Sequence, residues 1–368
     1  MKKKVMIVVG GTGGHVYPSV SLANDLFKAE PGITLMFVGG DLKNNRFFEH
    51  KKFLNESVEC APVNSRNPIR LLRNVIKILK GIWQSLSIIR RFKPDLIVGF
   101  GSFHTFPTLV AAKLVGIPIL LHESNSAPGK VNRLLSKHAL ATGIHFPETA
   151  DFLKGKTIEV GVPLREGYNL GNYTKREARD YFFLDKDRIT LLVFGGSQGA
   201  KKINQLVLEA LSQHFEGYKE CIQVLHFLGE GENKQEFQDI YDKNDIKATV
   251  KNFETRMDLA WAAADLLISR AGAATIAEQM EFEVPGVLIP YPFASDAHQD
   301  KNANFMSNTV GGSVTFLEKD LDSKILGKKI GNLLNHDRIL LDAMQDALRL
   351  YKKTARQKDM CTFVLDHL

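Results

Sequence analysis

Val5-Met6-Ile7-Val8-Val9-Gly10-Gly11-Thr12-Gly13-Gly14-His15 is the stretch that decides the fold. An unbroken apolar run, mostly β-branched, leads into four glycines and a threonine, and a helix-length segment follows over 13–28. Apolar residues without alternation suit a parallel strand buried on both faces. Glycines at its end let backbone amides approach a ligand, and the helix start beyond them favours an anion. The same construction restarts about 190 residues later, as Leu191-Leu192-Val193-Phe194-Gly195-Gly196-Ser197-Gln198-Gly199. Working outward, runs at 33–38, 96–100 and 117–121 extend the first half, and runs at 189–194, 222–227, 248–250, 266–269 and 287–289 make the second. Strands alternating with helices imply parallel sheets covered on both faces. The restart implies two similar α/β domains, 1–163 and 164–340, joined through a polar linker at 164–175 beside Gly161, Pro163 and Gly167. The last stretch, 337–368, reads as helical with no further strand, free to pack on either domain.

A chain of 368 residues, 44% hydrophobic and 24% charged, suits two soluble domains. No run of about 18 uncharged apolar residues occurs, so no membrane span is expected. Met1-Lys2-Lys3-Lys4 imitates the start of a signal peptide, but the apolar run after it is shorter than the roughly 7–15 residues such a segment needs. Cys60, Cys221 and Cys361 are widely spaced and form no C-x-x-C, which argues against a disulfide framework or zinc site and suits a reducing cytoplasm. The net charge of +7 is concentrated: 60–94 holds no acidic residue but carries Arg66, Arg70, Arg73, Lys77, Lys80, Arg90, Arg91 and Lys93. Such a segment suits an anionic partner. Arg66, Arg70, Arg73, Lys77 and Lys80 are spaced as one helical stripe, flanked by Leu71, Leu72, Val75, Ile76, Leu79, Ile82, Trp83 and Leu86, with Pro68 at the helix start. A basic amphipathic helix with tryptophan reads as a membrane-surface element; the plainer alternative is a core helix with a solvated basic edge, and part of its apolar face is expected to pack on the domain.

Loops after strands carry the remaining signal. Besides 10–15 and 195–200, Gly99-Phe100-Gly101-Ser102-Phe103-His104 follows the run at 96–98, and Ser269-Arg270-Ala271-Gly272-Ala273-Ala274-Thr275 follows that at 266–268. All four stand at carboxyl ends of strands, where α/β sheets bind ligands. The first is no dinucleotide fingerprint: Val16 takes the third glycine position and Asp41 comes late for the ribose acid. It is no phosphate-binding P-loop either, because no Gly-Lys-Ser/Thr follows. Glu278, six residues after Gly272, has the carboxylate to accept hydrogen bonds from two vicinal hydroxyls, although a solvated helix glutamate is commoner. Gln299 is an amide suited to sugar hydroxyls.

GGTGGHVYP (10–18), GFGSF (99–103), HESNSAPGKVN (122–132), GVPLR (161–165), FGGSQGAKKIN (194–204), SRAGAATIAE (269–278) and DAHQDKNA (296–303) together resemble the MurG family, bacterial N-acetylglucosaminyltransferases that make lipid II for peptidoglycan. The motifs keep the family order over about 300 residues. The resemblance implies the GT-B fold, two Rossmann-like domains facing a cleft, with the last helix, 341–368, returning to the N-terminal domain. It implies UDP-N-acetylglucosamine as donor, held mainly by the C-terminal half. Ser197 and nearby amides would meet the diphosphate, Ala273, Ala274 and Thr275 would support it, and Glu278 would hold the ribose. Backbone near Phe253 and Glu254 would meet the uracil, His298 and Gln299 the sugar hydroxyls, and Arg165 the donor. From the N-terminal half, Thr12, Gly13, Gly14, His15 and Asn125 would close on sugar and acceptor, with Gly101, Ser102, His122 and Glu123 on the acceptor side.

The acceptor implied is lipid I, undecaprenyl-pyrophosphoryl-MurNAc-pentapeptide, attacked through its 4-hydroxyl with inversion. That step needs a base, and His15 is the candidate, against the alternative that it only shapes the loop. His122-Glu123 suits a structural role as well as proton transfer, and His104 and His298 are weaker candidates. The resemblance implies no cofactor and no obligatory metal, so helix dipoles, amides and Arg165 would neutralise the leaving diphosphate. The lipid acceptor places the protein at the cytoplasmic face of the plasma membrane, docked through 66–93, with no nucleic-acid partner. Rival readings are another lipid-linked GT-B transferase, such as one acting on diacylglycerol, and a nucleotide-sugar 2-epimerase, which would have no use for the basic helix.

Overall fold

The computed structural model describes residues 2–63, 67–196, 199–215, 217, 219–334 and 338–368. The chain divides into two compact units, Met1–Arg165 with Arg356–Leu368, and Glu166–Ala355.

In the first unit the strands are β1 (Lys4–Val8), β2 (Thr34–Gly40), β3 (Leu54–Val58), β4 (Leu96–Gly99), β5 (Ile119–Glu123), β6 (Ala141–Ile144) and β7 (Thr157–Glu159). They form one sheet in the order β3-β2-β1-β4-β5-β6-β7, parallel throughout. Helices α1 (Gly13–Ala29), α2 (Pro68–Phe92), α3 (Phe106–Val115) and α4 (Lys130–Leu135) connect them. The two faces bury separate apolar clusters, one including Ile7, Val16, Leu22 and Phe37, the other Met6, Val8, Ile97 and Leu121. That is why β1 has no polar alternation.

The second unit repeats the plan with β8 (Ile189–Phe194), β9 (Ile222–Phe227), β10 (Ala248–Lys251), β11 (Leu266–Ser269), β12 (Gly286–Leu288) and β13 (Ser313–Thr315), in the order β10-β9-β8-β11-β12-β13, again all parallel. Its helices are α5 (Lys175–Tyr181), α6 (Lys201–Gln213), α7 (Lys234–Lys243), α8 (Met257–Ala263), α9 (Ala273–Phe282), α10 (His298–Asn304), α11 (Ser323–Leu334) and α12 (Ile339–Thr354). In each unit the strand order reverses once, between β1 and β4 and between β8 and β11. The four glycine loops read from the sequence are those that leave these four strands, so they flank the two topological switch points.

The C-terminal stretch differs from the single returning helix expected over 341–368. It is two helices, α12 and α13 (Met360–Leu365), and only Arg356–Leu368 belongs with the first unit. Leu341 and Met344 bury in the core of the second unit, and Arg349 and Lys352 pair with Glu283 and Glu281 on α9 and just beyond it. Beyond Thr354 the chain runs beside β7, with Lys358 N donating to Glu159 O and Gly161 N to Lys358 O, before Phe363 and Val364 of α13 enter the first core.

Helix α2 starts at Pro68, and its preceding Asn67 side chain accepts from the amides of Ile69 and Arg70 at 3.0 and 3.2 Å. Its C-terminal half packs through Ile78, Gly81, Ser85, Ile88, Ile89 and Phe92. Gly81 lies so close to Glu59 O that a Cβ would sit 1.9 Å from it. Ile69, Leu72, Ile76 and Leu79 in its N-terminal half, and Trp83 beyond its midpoint, are exposed, Trp83 at 72%.

Asp265, at the start of β11, is a buried anion held from several sides: Arg179 Nη2 at 2.5 Å, Lys175 Nζ at 2.7 Å and the Thr190 amide at 2.7 Å. Burial alone would raise its pKa, but the Lys175 and Arg179 charges and the Thr190 amide together hold it below 3.8. A carboxyl depressed in the folded state stabilises the fold above its unfolded pKa, and that contribution fades as pH falls through the folded value. Asp265→Ala, which strands the buried Arg179, is expected to cost about 3–5 kcal/mol in urea unfolding at pH 7. The gap from wild type should shrink below about pH 4; a gap independent of pH would contradict the assignment.

Candidate active site

In the first unit, β1 ends against a turn that only glycine can make. Gly11 has φ +90°, a Cβ on Gly10 would lie 2.5 Å from the His104 Cβ, and one on Gly13 would lie 2.9 Å from the Tyr17 ring. Asn45, in the loop after β2, donates to Gly11 O at 2.7 Å and holds the turn from outside. Thr12 precedes α1 without a side-chain capping bond, and the first turn of the helix has no acidic residue. His15 stands in that first turn, half-buried. Tyr17, one turn into α1, stacks under the Arg165 guanidinium, 5.0 Å from its ring centre.

The loop after β4 approaches the same turn. Gly101 and Ser102 both take left-handed backbone angles, φ +76° and +70°, and a Cβ on Gly11 would come 3.3 Å from Ser102 Oγ. His104 Nδ1 lies 3.0 Å from Gly40 O and 3.4 Å from Cys60 Sγ. Burial lowers its pKa, and the nearby His15 adds to that. Burial also pushes the Cys60 thiol up to about 11, so it is not a nucleophile at neutral pH.

At the end of β5, His122 is buried against Phe100 with its Nε2 without a protein partner. Burial, with His145 and His15 nearby, lowers its pKa to about 3, so it is neutral at physiological pH. Glu123 is buried and fully engaged. Oε1 accepts from the Asn125 amide at 3.0 Å, and Oε2 from the Gly129 amide and Asn132 Nδ2, each at 2.9 Å. These bonds fold the 124–129 loop back on the strand end and fix Asn125 beside it.

In the second unit, the loop after β8 needs its glycines equally. A Cβ on Gly195 would lie 2.2 Å from that of Ala200, and Gly199, φ +75°, would lie 2.5 Å from Leu228 O. Ser197 lies outside the described residues. A buried polar chain supports this loop from below: Tyr241 OH to His226 Nδ1 at 2.9 Å, His226 Nε2 to Asn204 Oδ1 at 3.3 Å, and Asn204 Nδ2 to Leu228 O at 2.9 Å. Burial lowers the His226 pKa to about 3.

The loop after β11 delivers Gly272 as the cap of α9, with no side-chain capping bond and no acid in the first turn. The amides opening that helix, from Ala273, Ala274 and Thr275, make an anion-binding end. Arg270 braces the loop by donating to Ile289 O and Pro290 O and pairing with Glu318, and Asn302 Nδ2 holds Ala271 O at 3.0 Å. Glu278 stands farther along α9, half-buried, and accepts from the Trp261 indole N–H at 2.9 Å. The Glu254 side chain is tied to Lys251 Nζ at 2.7 Å and to the Arg256 amide at 2.8 Å. Burial would raise its pKa, but those donors bring it down. His298 Nδ1 meets Ser295 O at 2.8 Å, and Gln299 Oε1 accepts the Tyr291 amide at 2.9 Å, so both side chains also hold the 291–297 loop.

Within the first unit, Thr12, Gly13, Gly14, His15, Gly101, Ser102, His122, Glu123 and Asn125 all stand at or just beyond the ends of β1, β4 and β5, neighbours in the sheet. Within the second, the 273–275 amides follow β11, and His298 and Gln299 follow β12. Sequence reasoning passed over Tyr17, Asn45, Trp261 and Arg270 as supports. Tyr17 and Arg270 lay inside quoted motifs without being singled out, and a lone tryptophan or asparagine carries no pattern that marks its partner. Among the described residues no group of three or more His, Cys, Asp or Glu is placed to hold a metal ion.

Residues 5–144 match the glycosyltransferase family 28 N-terminal domain and residues 190–360 its C-terminal domain. The chain is 48% identical over 366 residues to a protein of Protochlamydia amoebophila named UDP-N-acetylglucosamine--N-acetylmuramyl-(pentapeptide) pyrophosphoryl-undecaprenol N-acetylglucosamine transferase, covering 100% of this chain and 96% of that one. A Chlamydia pneumoniae protein of the same name is 33% identical, with 100% of each chain covered. Among solved structures, Acinetobacter baumannii MurG superposes with a TM-score of 0.78 at 27% identity, covering 99% of this chain and 98% of the other.

Glu123 offers a direct check on its role. Glu123→Gln turns an NH2 group toward the amides that the carboxylate serves, and is expected to lower stability by about 1–3 kcal/mol along with activity. Lost activity at unchanged unfolding free energy would instead assign Glu123 to proton transfer.

Proposed function

This chain belongs to glycosyltransferase family 28, and from that membership we propose that it transfers N-acetylglucosamine from UDP-N-acetylglucosamine to the 4-hydroxyl of N-acetylmuramic acid in lipid I, giving lipid II for peptidoglycan. The observation that carries this reading is the full-length likeness to enzymes named for that transfer.

The chemistry follows from the two switch points. The C-terminal unit holds the donor. Unacidic amides at the start of α9, with Ser197, take the diphosphate, Glu278 takes the ribose hydroxyls, and the backbone beside Glu254 takes the uracil. His298 and Gln299 read the sugar. Arg165 adds positive charge toward the leaving group. The N-terminal unit supplies the acceptor side through Thr12, Gly13, Gly14, Gly101, Ser102, His122 and Asn125. The acceptor oxygen attacks the anomeric carbon as His15 takes its proton. The bond from that carbon to the phosphate oxygen breaks, UDP leaves, and the α-linked donor becomes a β-1,4 product. His15 is preferred over His122 because His122 is buried and Glu123 is spent on the loop. No cofactor enters this scheme.

Helix α2 supplies the membrane contact. Exposed Ile69, Leu72, Ile76, Leu79 and Trp83 share its surface with Arg70, Arg73 and Lys77. No helix among the described residues is long and apolar enough to cross a bilayer. Docking on anionic lipid at the cytoplasmic face would bring the enzyme to an acceptor whose tail stays in the membrane.

Incubated with UDP-N-acetylglucosamine and a short-chain lipid I analogue, the protein should release UDP and form a disaccharide on the lipid. A base must be unprotonated to act, and His122, neutral down to about 3, is buried, so the proton is expected to go to His15. His15→Ala should lower kcat by about 100- to 10,000-fold with donor binding kept, and an unchanged kcat would remove His15 as the base. Donor converted to a 2-epimer without acceptor would make the protein an isomerase. Reversing Arg70, Arg73 and Lys77 to glutamate should release the protein from anionic vesicles at about 1 kcal/mol per charge lost; undiminished binding would remove α2 from the membrane.

A further inference from the structure

Trp261 stands beside Glu278, the residue read above as the ribose acceptor. It is fully buried on α8 and donates its indole N–H to Glu278 Oε2 at 2.9 Å. Its ring meets Phe194 edge-on at 5.7 Å and lies parallel to Phe282 at 6.2 Å. Phe194 ends β8, directly before the Gly195 loop, and Phe282 ends α9, the helix that carries Glu278. One rigid side chain therefore ties together the strand end, the helix and the carboxylate.

We propose that Trp261 is a positioning residue that sets how Glu278 faces the donor's ribose, and so makes the site distinguish a ribonucleotide from its 2′-deoxy analogue. The inference rests on the reading of Glu278 as the ribose acceptor. A glutamate side chain on a helix has several rotamers, and accepting two vicinal hydroxyls at once requires a single one. The indole has one donor and no acceptor, so in a buried setting it holds the carboxylate in one orientation. A carboxylate has about four lone-pair sites, and the indole bond takes one of them. Removing the N–H while keeping an aromatic ring would let the carboxylate turn. The benefit of the 2′-hydroxyl would then fall, without loss of the contacts that diphosphate and uracil make elsewhere.

The test compares UDP-N-acetylglucosamine with its 2′-deoxyuridine counterpart as donors. Trp261→Phe is expected to raise KM for the ribose donor about tenfold, the scale of one charge-assisted hydrogen bond, with kcat within about twofold and KM for the deoxy donor little changed. Glu278→Ala should lose the same discrimination, and the double variant should be no worse than Glu278→Ala. A purely structural role for Trp261 would weaken both donors alike and overturn the proposal. So would retained discrimination in Trp261→Phe when Glu278→Ala has lost it, which leaves the ribose reading standing. Retained discrimination in Glu278→Ala would overturn both. Should the phenylalanine variant not fold, the wild type still answers. It has two tryptophans, and Trp83 is exposed. The buried indole 15N–1H resonance should shift on adding UDP and shift less on adding 2′-deoxy-UDP; a resonance that stays fixed while calorimetry shows UDP binding overturns the proposal.

Discussion

Backbone amides left without partners at the carboxyl ends of parallel strands are the constraint on which the rest depends. A helix start leaves its first N–H groups unpaired, and a strand order that reverses opens space beside two of them. Each unit does this once, between β1 and β4 and between β8 and β11. Side chains there would fill the space. The steric distances at Gly10, Gly13, Gly195 and Gly199 show that the loops close only because a Cβ is missing. The absence of acid from the first turns of α1 and α9 keeps the helix dipoles available to an anion.

Loops that carry no side chains cannot hold themselves, so both units brace them with buried polar groups. Glu123 gathers the 124–129 loop, Asn45 holds Gly11, and the Tyr241–His226–Asn204 chain underlies the loop after β8. Arg270 and Asn302 hold the approach to α9. Several of these groups look chemically able but are engaged: Glu123 and Glu254 spend their oxygens on amides and a lysine, and burial keeps His122 and His226 neutral. Membership of glycosyltransferase family 28 fits a protein whose strand-end loops offer mostly oriented amides and a few placed side chains.

The sequence made the central strands legible because both their faces are buried. The runs at 189–194, 222–227 and 266–269 are strands with those very ends. It hid β3, β7 and β13, which lie at sheet edges and read LNESV, TIE and SVT, too short or too polar to show a period. It hid β6 as well, four residues containing Thr142 and Gly143. The GT-B fold and the family were legible from motif order. The division of the C-terminal stretch was not, since α12 is amphipathic, α13 is a short apolar segment, and nothing local says which core each meets. Of the site, the loops were legible as glycine patterns, while their supports were not: the partner of Trp261 lies 17 positions away, and that of Asn45 lies 34 away.

A crystal structure of the protein with UDP bears most directly on this account. It should show the diphosphate within hydrogen-bond reach of the amides that open α9, with the ribose on Glu278 and the uracil beside the Glu254 backbone. A diphosphate seated instead on the Gly10–Gly14 turn of the first unit would contradict the assignment of donor and acceptor to the two halves.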